Sequence, residues 1–181
     1  MDRLQQAMHS AFEVELPHRL RRASRVTLQQ YVPPHWFTAV ATECAEMYVA
    51  GAFYGAIAVA HAYVDAVSGF LGEIYNIRGH WSAEGRFRRL SSEGSIPAVA
   101  LDSVLTIING DLEFESLNRE HAHEYQRLAA RAEECLRHVA TIEAAVFAYT
   151  VEGERVTPAV PRHWLNGNSS KSPQVKLRQL W

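Results

Sequence analysis

Cysteine is scarce in this chain, which has two, Cys44 and Cys135, among 181 residues. Both lie within apolar helical patterns, and two cysteines so far apart provide neither a disulfide framework nor the closely spaced pairs of a zinc site. Buried free thiols are commoner than a disulfide in such a pattern, so we predict them here. A chain of this length buries roughly two-thirds of its unfolded surface, and therefore folds as one domain without a metal or a disulfide.

The sequence also lacks the motifs of the common nucleotide, metal and nucleophile sites: it has no P-loop, dinucleotide fingerprint or nucleophile elbow. The segment Met1 to Leu20 has no apolar core followed by small residues, so it does not resemble a signal peptide. The longest apolar stretch, 47–64, is interrupted by His61 and rich in alanine and glycine, which favours a buried helix over a membrane span. We expect a cytoplasmic protein that needs no cofactor, metal or membrane.

A strong excess of one charge is absent as well, because the net charge is −2. That balance argues against a surface dedicated to nucleic acid, but it leaves room for a local basic patch that contacts RNA phosphates. Two groups of arginines could form such a patch: Arg19, Arg21, Arg22 and Arg25, and Arg86, Arg88 and Arg89. Acidic residues are interleaved elsewhere, so a scattered basic face is the commoner outcome.

Helical periodicity is what the sequence has in abundance. From Tyr125 to Tyr149, apolar residues recur at alternating spacings of three and four, without glycine or proline. This pattern, typical of a helix packed along its length in a bundle, is carried by Tyr125, Leu128, Ala132, Cys135, Val139, Ile142, Val146 and Tyr149. We predict one long helix near the C-terminal end.

Shorter helical patterns precede it. Residues 2–15 predict a helix that Pro17 ends, and residues 18–30 predict a second one that stops before two prolines. Residues 35–50 and 53–75 predict either one kinked helix or a tight helical hairpin, and the small residues around Gly51 favour the hairpin. Two further helices are expected around 85–90 and 97–108.

The predicted fold is therefore all-α, a bundle of four to five main helices with a short C-terminal extended arm or hairpin. Its predicted divisions are an N-terminal helical segment (1–33), the bundle core (34–149), the arm (150–165, turning at Gly153) and a disordered tail (166–181).

Three constellations on these helices could carry chemistry. His61 and Asp65 lie four apart and share a face, either for acid–base work or, more commonly, as a polar pair at a bundle or dimer interface. Glu120 and His123 have the spacing of a helical metal motif, but a di-iron site needs two copies, and we predict no metal.

Arg131 and His138 are the third constellation. They flank the heptad seam about 10 Å apart along the helix axis, which is most often a solvated flank.

Several segments resemble the HEPN superfamily of helical domains, in a branch of uncharacterised bacterial proteins with a C-terminal proline–tryptophan arm. These segments are residues 45–57, Phe87 to Leu90 with Gly94 to Ile96, Leu117-Asn118, Ile142 to Phe147, and Gly153 with Pro161 to Trp164. The resemblance, carried by their order and spacing over residues 38–164, implies a bundle of four to five helices, usually a homodimer. Active members are metal-independent RNases that use an arginine and a histidine separated by four to six residues.

This chain departs from the family's catalytic pattern. Aligning Leu117-Asn118 with the family places Asp111 and Glu115 where arginine and histidine are expected, and carboxylates there would repel phosphate. The nearest substitutes are Arg119 with His123, which are one residue too close, and the pair within the last helix.

The leading hypothesis is therefore a non-catalytic HEPN-like binding or regulatory module. We expect it to be homodimeric through the first helical hairpin, with RNA or a cognate protein as partner. The candidate interface or binding residues are His61, Asp65, Arg86, Arg88 and Arg89. One rival is a metal-independent endoribonuclease using Arg119 and His123. Another is a small-ligand pocket in the bundle, lined by Trp36, Phe53, Tyr54 and Tyr63.

Overall fold

The computed structural model describes residues 2–79, 81–110, 122–165 and 172–179. These residues form six α-helices and two short antiparallel strand pairs. In chain order the elements are α1 (Arg3–Ala23), β1 (Tyr31–Val32), α2 (Trp36–Ala50), α3 (Phe53–Ile74), α4 (Ala83–Ser92), α5 (Ala98–Asn109), α6 (Ala122–Val146), β2 (Tyr149–Glu152), β3 (Arg155–Pro158), a 3-10 turn (Pro161–Trp164) and β4 (Lys176–Leu177). The predicted all-α bundle with a short C-terminal hairpin is confirmed.

Helix α3 lies at the centre of the bundle, because α2, α4, α5 and α6 all pack against it. Its fully buried residues recur at helical spacing, among them Ile57, Ala60, Val64, Val67 and Leu71. Length and composition would allow α3 to cross a membrane, but half of its apolar window is buried inside the protein. That burial is typical of the core helix of a soluble domain.

Gly51 makes the predicted hairpin between α2 and α3. Its φ of +82° places it in the left-handed region, where a side chain would be strained. The N–H groups of Gly51 and Ala52 donate to the last turn of α2, at the carbonyls of Tyr48 and Met47. The helix therefore ends by its own backbone hydrogen bonds, and α3 can fold back against it.

The predicted long C-terminal helix forms, with Ala132, Cys135, Val139, Ile142 and Val146 buried along one face, but it ends at Val146, so Tyr149 of the predicted seam lies in β2. Both cysteines are free and buried. Burial raises the pKa of Cys44 to about 12 and that of Cys135 to about 11, so neither is a reactive thiolate at neutral pH. After this helix, β2 and β3 pair as a hairpin around Gly153.

The N-terminal prediction needs a correction, because α1 continues through Pro17 instead of ending there. Proline removes one hydrogen bond but already has a helical φ. The segment after it is held against α2 by Arg22, which donates to the Val49 carbonyl at 2.8 Å and pairs with Glu15. The second predicted helix stops at Ala23, and residues 24–30 form a turn followed by irregular backbone.

The tail needs a second correction: residues 172–179 are ordered against the bundle, while residues 166–171 lie outside the described part. Strand β4 pairs with β1, and Arg178 follows with a side chain that is only 2% exposed. Its guanidinium donates to both carboxylate oxygens of Glu143 on α6, at 2.9 and 2.5 Å. The N–H of Gln29 donates to the same carboxylate at 3.1 Å.

This ion pair joins the N-terminal segment, α6 and the tail. Burial raises the pKa of Glu143, and the hydrogen bonds from Arg178 oppose that rise. A polar, serine-rich composition suggested disorder, whereas the buried arginine and the pairing of β4 with β1 hold this segment against the bundle.

We expect Arg178→Ala to lower the free energy of unfolding by about 3–5 kcal/mol, because it leaves the Glu143 carboxylate buried without its partner. Urea denaturation would measure the change. The control is Lys176→Ala, an exposed cation two residues earlier in the tail, which should change stability by less than about 0.5 kcal/mol. Equal stabilities of the two variants would contradict a structural role for the pair.

Candidate functional site

The polar residues predicted on α3 and α6 meet where α3, α5 and α6 come together. Burial, and then the positive charge of Arg131, lowers the pKa of His61. Burial, and then the charge of Arg137, lowers the pKa of His138. Arg131 on α6 therefore lies near enough to His61 on α3 for its charge to act on the imidazole.

Arg131 is engaged with the end of α5. It donates to Glu134 at 2.6 Å, and its second terminal nitrogen donates to the carbonyls of Thr106 and Ile107 at 2.8 and 3.1 Å. A cation at the C-terminal end of α5 binds carbonyls that have no partner within the helix, and it offsets the negative end of the helix dipole. Gly110 makes room for it, because a Cβ at that position would overlap the guanidinium.

His138 is bound to the same helix. Its Nδ1 lies 3.1 Å from the hydroxyl of Ser103 on α5. Both side chains of the pair are thus half-buried and partnered within the fold, whereas the sequence suggested a solvated flank. The heptad pattern gave no signal of this, since it does not show which helix packs beside the seam.

His61 and Asp65 share a face of α3 as predicted, but no hydrogen bond joins them among the described residues. Asp65 is exposed, while His61 is half-buried and its Nε2 has no hydrogen-bond partner in the part of the chain that is described. The Asp65 carboxylate raises the pKa of the His61 imidazole, but burial and the charge of Arg131 lower that pKa by more. The pair is therefore not an oriented acid–base dyad.

The predicted basic patches are mostly neutralised by local partners. On α4, Arg88 pairs with Glu84 at 2.7 Å and Arg89 pairs with Glu93 at 2.9 Å. Arg86 instead packs over Gly72 and donates to Ser68 at 3.2 Å.

Of the N-terminal group, Arg22 and Arg25 pair with Glu15 and Glu133. The ion pairs of Arg88 and Arg89 can be predicted from the sequence, because each arginine lies four residues from its glutamate.

The predicted catalytic pair falls where the structure gives no description: Arg119, Asp111 and Glu115 lie outside the described residues, and so does the side chain of His123. Among the residues that are described, no three His, Cys, Asp or Glu side chains form a group that could hold a metal ion.

Among the described residues, the four aromatic side chains proposed for a ligand pocket do not come together in one. Phe53 and Tyr63 are buried in the core, whereas Tyr54 and Trp36 are exposed. Trp36 is 71% exposed and stands between two surface grooves. The α2 groove has a volume of about 750 Å³ and is lined by Trp36, Ala39, Thr42, Glu43, Glu46 and Lys176. The α3 groove has a volume of about 920 Å³ and is lined by Trp36, Asp65, Gly69, Phe70, Glu73 and Arg162.

A buried hydrogen-bonded chain supports the floor of these grooves. His35 Nε2 donates to the His163 carbonyl at 3.0 Å, and His163 Nδ1 donates to the Val146 carbonyl at 2.7 Å. Because a carbonyl only accepts, this assigns the proton of His163 to Nδ1 and leaves Nε2 to accept from the Tyr75 hydroxyl at 2.9 Å. The start of α2, the end of α3 and the 3-10 turn are thereby fixed together.

No protein-family model matches the chain, and no curated protein or solved structure matches it either. The resemblance to the HEPN superfamily accordingly rests on the residues themselves. The resemblance therefore supports a proposal of function.

Proposed function

We propose that this protein is a non-catalytic, HEPN-like binding or regulatory module that acts as a cytoplasmic homodimer and engages RNA or a cognate protein. The observation that carries the proposal is the apolar face of α1. None of the residues of this helix is buried, yet large apolar side chains recur along it every fourth position. They are Leu4, Met8, Phe12, Leu16 and Leu20, which are between 37% and 66% exposed.

The first half of α1 projects from the bundle, because residues 3–14 are all exposed. That length is about 18 Å of helix. A helix of a dozen residues is marginal by itself in water, and exposed large apolar side chains are costly. Both facts are explained if the projecting half packs against another protein surface.

A second copy of the same helix fits this face. In an antiparallel pair centred on Phe12, Met8 of one helix meets Leu16 of the other. The symmetry of a dimer requires such a self-complementary patch. Residues spaced by four form ridges that interdigitate at a crossing angle of about −50°, which would concentrate the contact between Met8 and Leu16.

The non-catalytic part of the proposal is supported by Arg131 and His138. They are the arginine and histidine with the family's spacing, and both are engaged with α5. An arginine that stabilises a phosphorane-like transition state has to be available to the phosphate. Here both terminal nitrogens of Arg131 donate to other groups, namely Glu134 and two carbonyl oxygens.

We expect Phe12→Asp to convert the dimer to a monomer. The substitution puts a carboxylate at the centre of the apolar contact twice, once per protomer. A loss of roughly 3 kcal/mol or more would raise the dissociation constant at least about a hundredfold. Light scattering across a dilution series would measure it.

Ser10→Asp is the matched control, since it adds the same charge on the opposite face of α1 and should leave the dimer intact. Ala62→Asp, at an exposed position of α3, tests the dimer face first expected on the helical hairpin. If this variant is monomeric while Phe12→Asp remains a dimer, α1 is not the interface.

The ribonuclease rival makes a different prediction. Incubation of the purified protein with single-stranded RNA at neutral pH in EDTA should give no cleavage. Cleavage that His123→Ala abolishes, with His138→Ala as the comparison variant, would replace the binding role with the endoribonuclease that uses Arg119 and His123.

A further inference from the structure

Trp36 is an unusually exposed side chain on a rigid base. At 71% it is the most exposed of the large aromatic residues among those described. It is the first residue of α2, and its neighbour Phe37 is buried in an aromatic cluster with His35 and Phe70. A large aromatic ring held outward by a rigid floor is typical of a contact residue in a protein interface.

The two grooves extend along helix faces on either side of this ring. Along α2, exposed Ala39, Glu43 and Glu46 follow Trp36 on one face over about 15 Å. Along α3, Asp65, Gly69 and Glu73 line the other groove over about 12 Å. A small molecule would occupy one groove, whereas an extended chain crossing Trp36 would occupy both.

The charges of the grooves are mainly acidic and unpaired. Their carboxylates, Glu43, Glu46, Asp65 and Glu73, form no ion pair among the described residues. By contrast, five glutamates on or next to α4 and α6 are paired with arginines: Glu84, Glu93, Glu133, Glu134 and Glu143.

Two cations oppose these four carboxylates. Lys176 lies in the α2 groove, and Arg162, which packs over the Tyr75 ring, lies in the α3 groove. Arg178 also borders the α2 groove, but Glu143 neutralises it. The surface around Trp36 therefore carries a net charge of about −2 and is complementary to positive charge.

We propose that Trp36 and these two grooves are a docking site for a basic peptide segment, an extended chain that carries several arginine or lysine side chains. Tryptophan is the best aromatic partner for a cation. An arginine guanidinium both stacks on the indole ring and is attracted to it electrostatically. The unpaired carboxylates on α2 and α3 accept further cations of the same chain. The peptide lies across Trp36 and fills a groove on each side.

This inference rests on the proposed binding role and names the class of partner. It uses a surface other than the apolar face of α1. A docked peptide and a second copy of the chain can therefore be tested one at a time.

The test is fluorescence anisotropy of a labelled nine-residue peptide of alternating arginine and glycine, titrated with the full chain. Trp36→Ala should weaken binding at least about fivefold, the effect of losing a well-placed cation–π contact. Glu43→Gln with Glu46→Gln, and Asp65→Asn with Glu73→Gln, should each weaken it about threefold or more and reduce its salt dependence. These positions are exposed, so circular dichroism should show each variant folded.

Two matched controls accompany these variants. Trp81→Ala removes an exposed tryptophan near α4, and Glu152→Gln with Glu154→Gln removes two charges from the β2–β3 hairpin. Both should bind within twofold of the unaltered protein. The proposal is overturned if Trp36→Ala binds as the unaltered protein does. It is also overturned if a glutamate–glycine peptide binds equally well, or if spermidine at the same concentration displaces the peptide completely.

The Phe12→Asp variant separates this inference from the proposed dimer. It should bind the arginine peptide with unchanged affinity per protomer. If light scattering shows that the unaltered protein is a monomer while the Trp36 variant loses peptide binding, the docking site is supported and the dimer is overturned. If the unaltered protein is a dimer but binds no peptide, the dimer is supported and the docking site is overturned.

Discussion

The buried pair of Glu143 and Arg178 is the interaction on which the ends of this molecule depend. Two charges removed from water are costly unless they are paired, and here the Glu143 carboxylate accepts hydrogen bonds from both terminal nitrogens of Arg178 and from the N–H of Gln29. The pair therefore fixes one arrangement of the N-terminal segment, α6 and the tail. It also places Lys176 and β4 beside Trp36, so one wall of the α2 groove depends on it.

Elsewhere in the structure, several polar side chains are bound within the fold, whereas others are exposed on the surface. Arg131, His138 and the α4 arginines, which could have served a phosphate chemistry, are committed to carbonyls, a hydroxyl and neighbouring carboxylates. Among the described residues, the apolar side chains of α1 and the carboxylates around Trp36 are exposed. These two surfaces differ in chemistry, because one is apolar and the other is charged, so they suit different kinds of partner.

The sequence predicted the elements whose signals are local or periodic. The seam of α6, the glycine turn before α3 and the two buried thiols all follow from spacing or from the properties of single residues. It mispredicted α1 at Pro17 and the tail at Arg178, because both depend on contacts with distant residues, Val49 and Glu143. The commitment of Arg131 to α5 and the exposure of Trp36 were missed for the same reason, since a one-dimensional pattern does not show which helix covers a face.

Amide hydrogen exchange of α1 tests the binding role most directly, because it reports whether the projecting helix is covered. Residues 3–14 should be protected at high protein concentration and lose that protection on dilution, while the core of α3 stays protected throughout. Rapid exchange of residues 3–14 at every concentration would show that no second copy packs on this face, and would contradict the account.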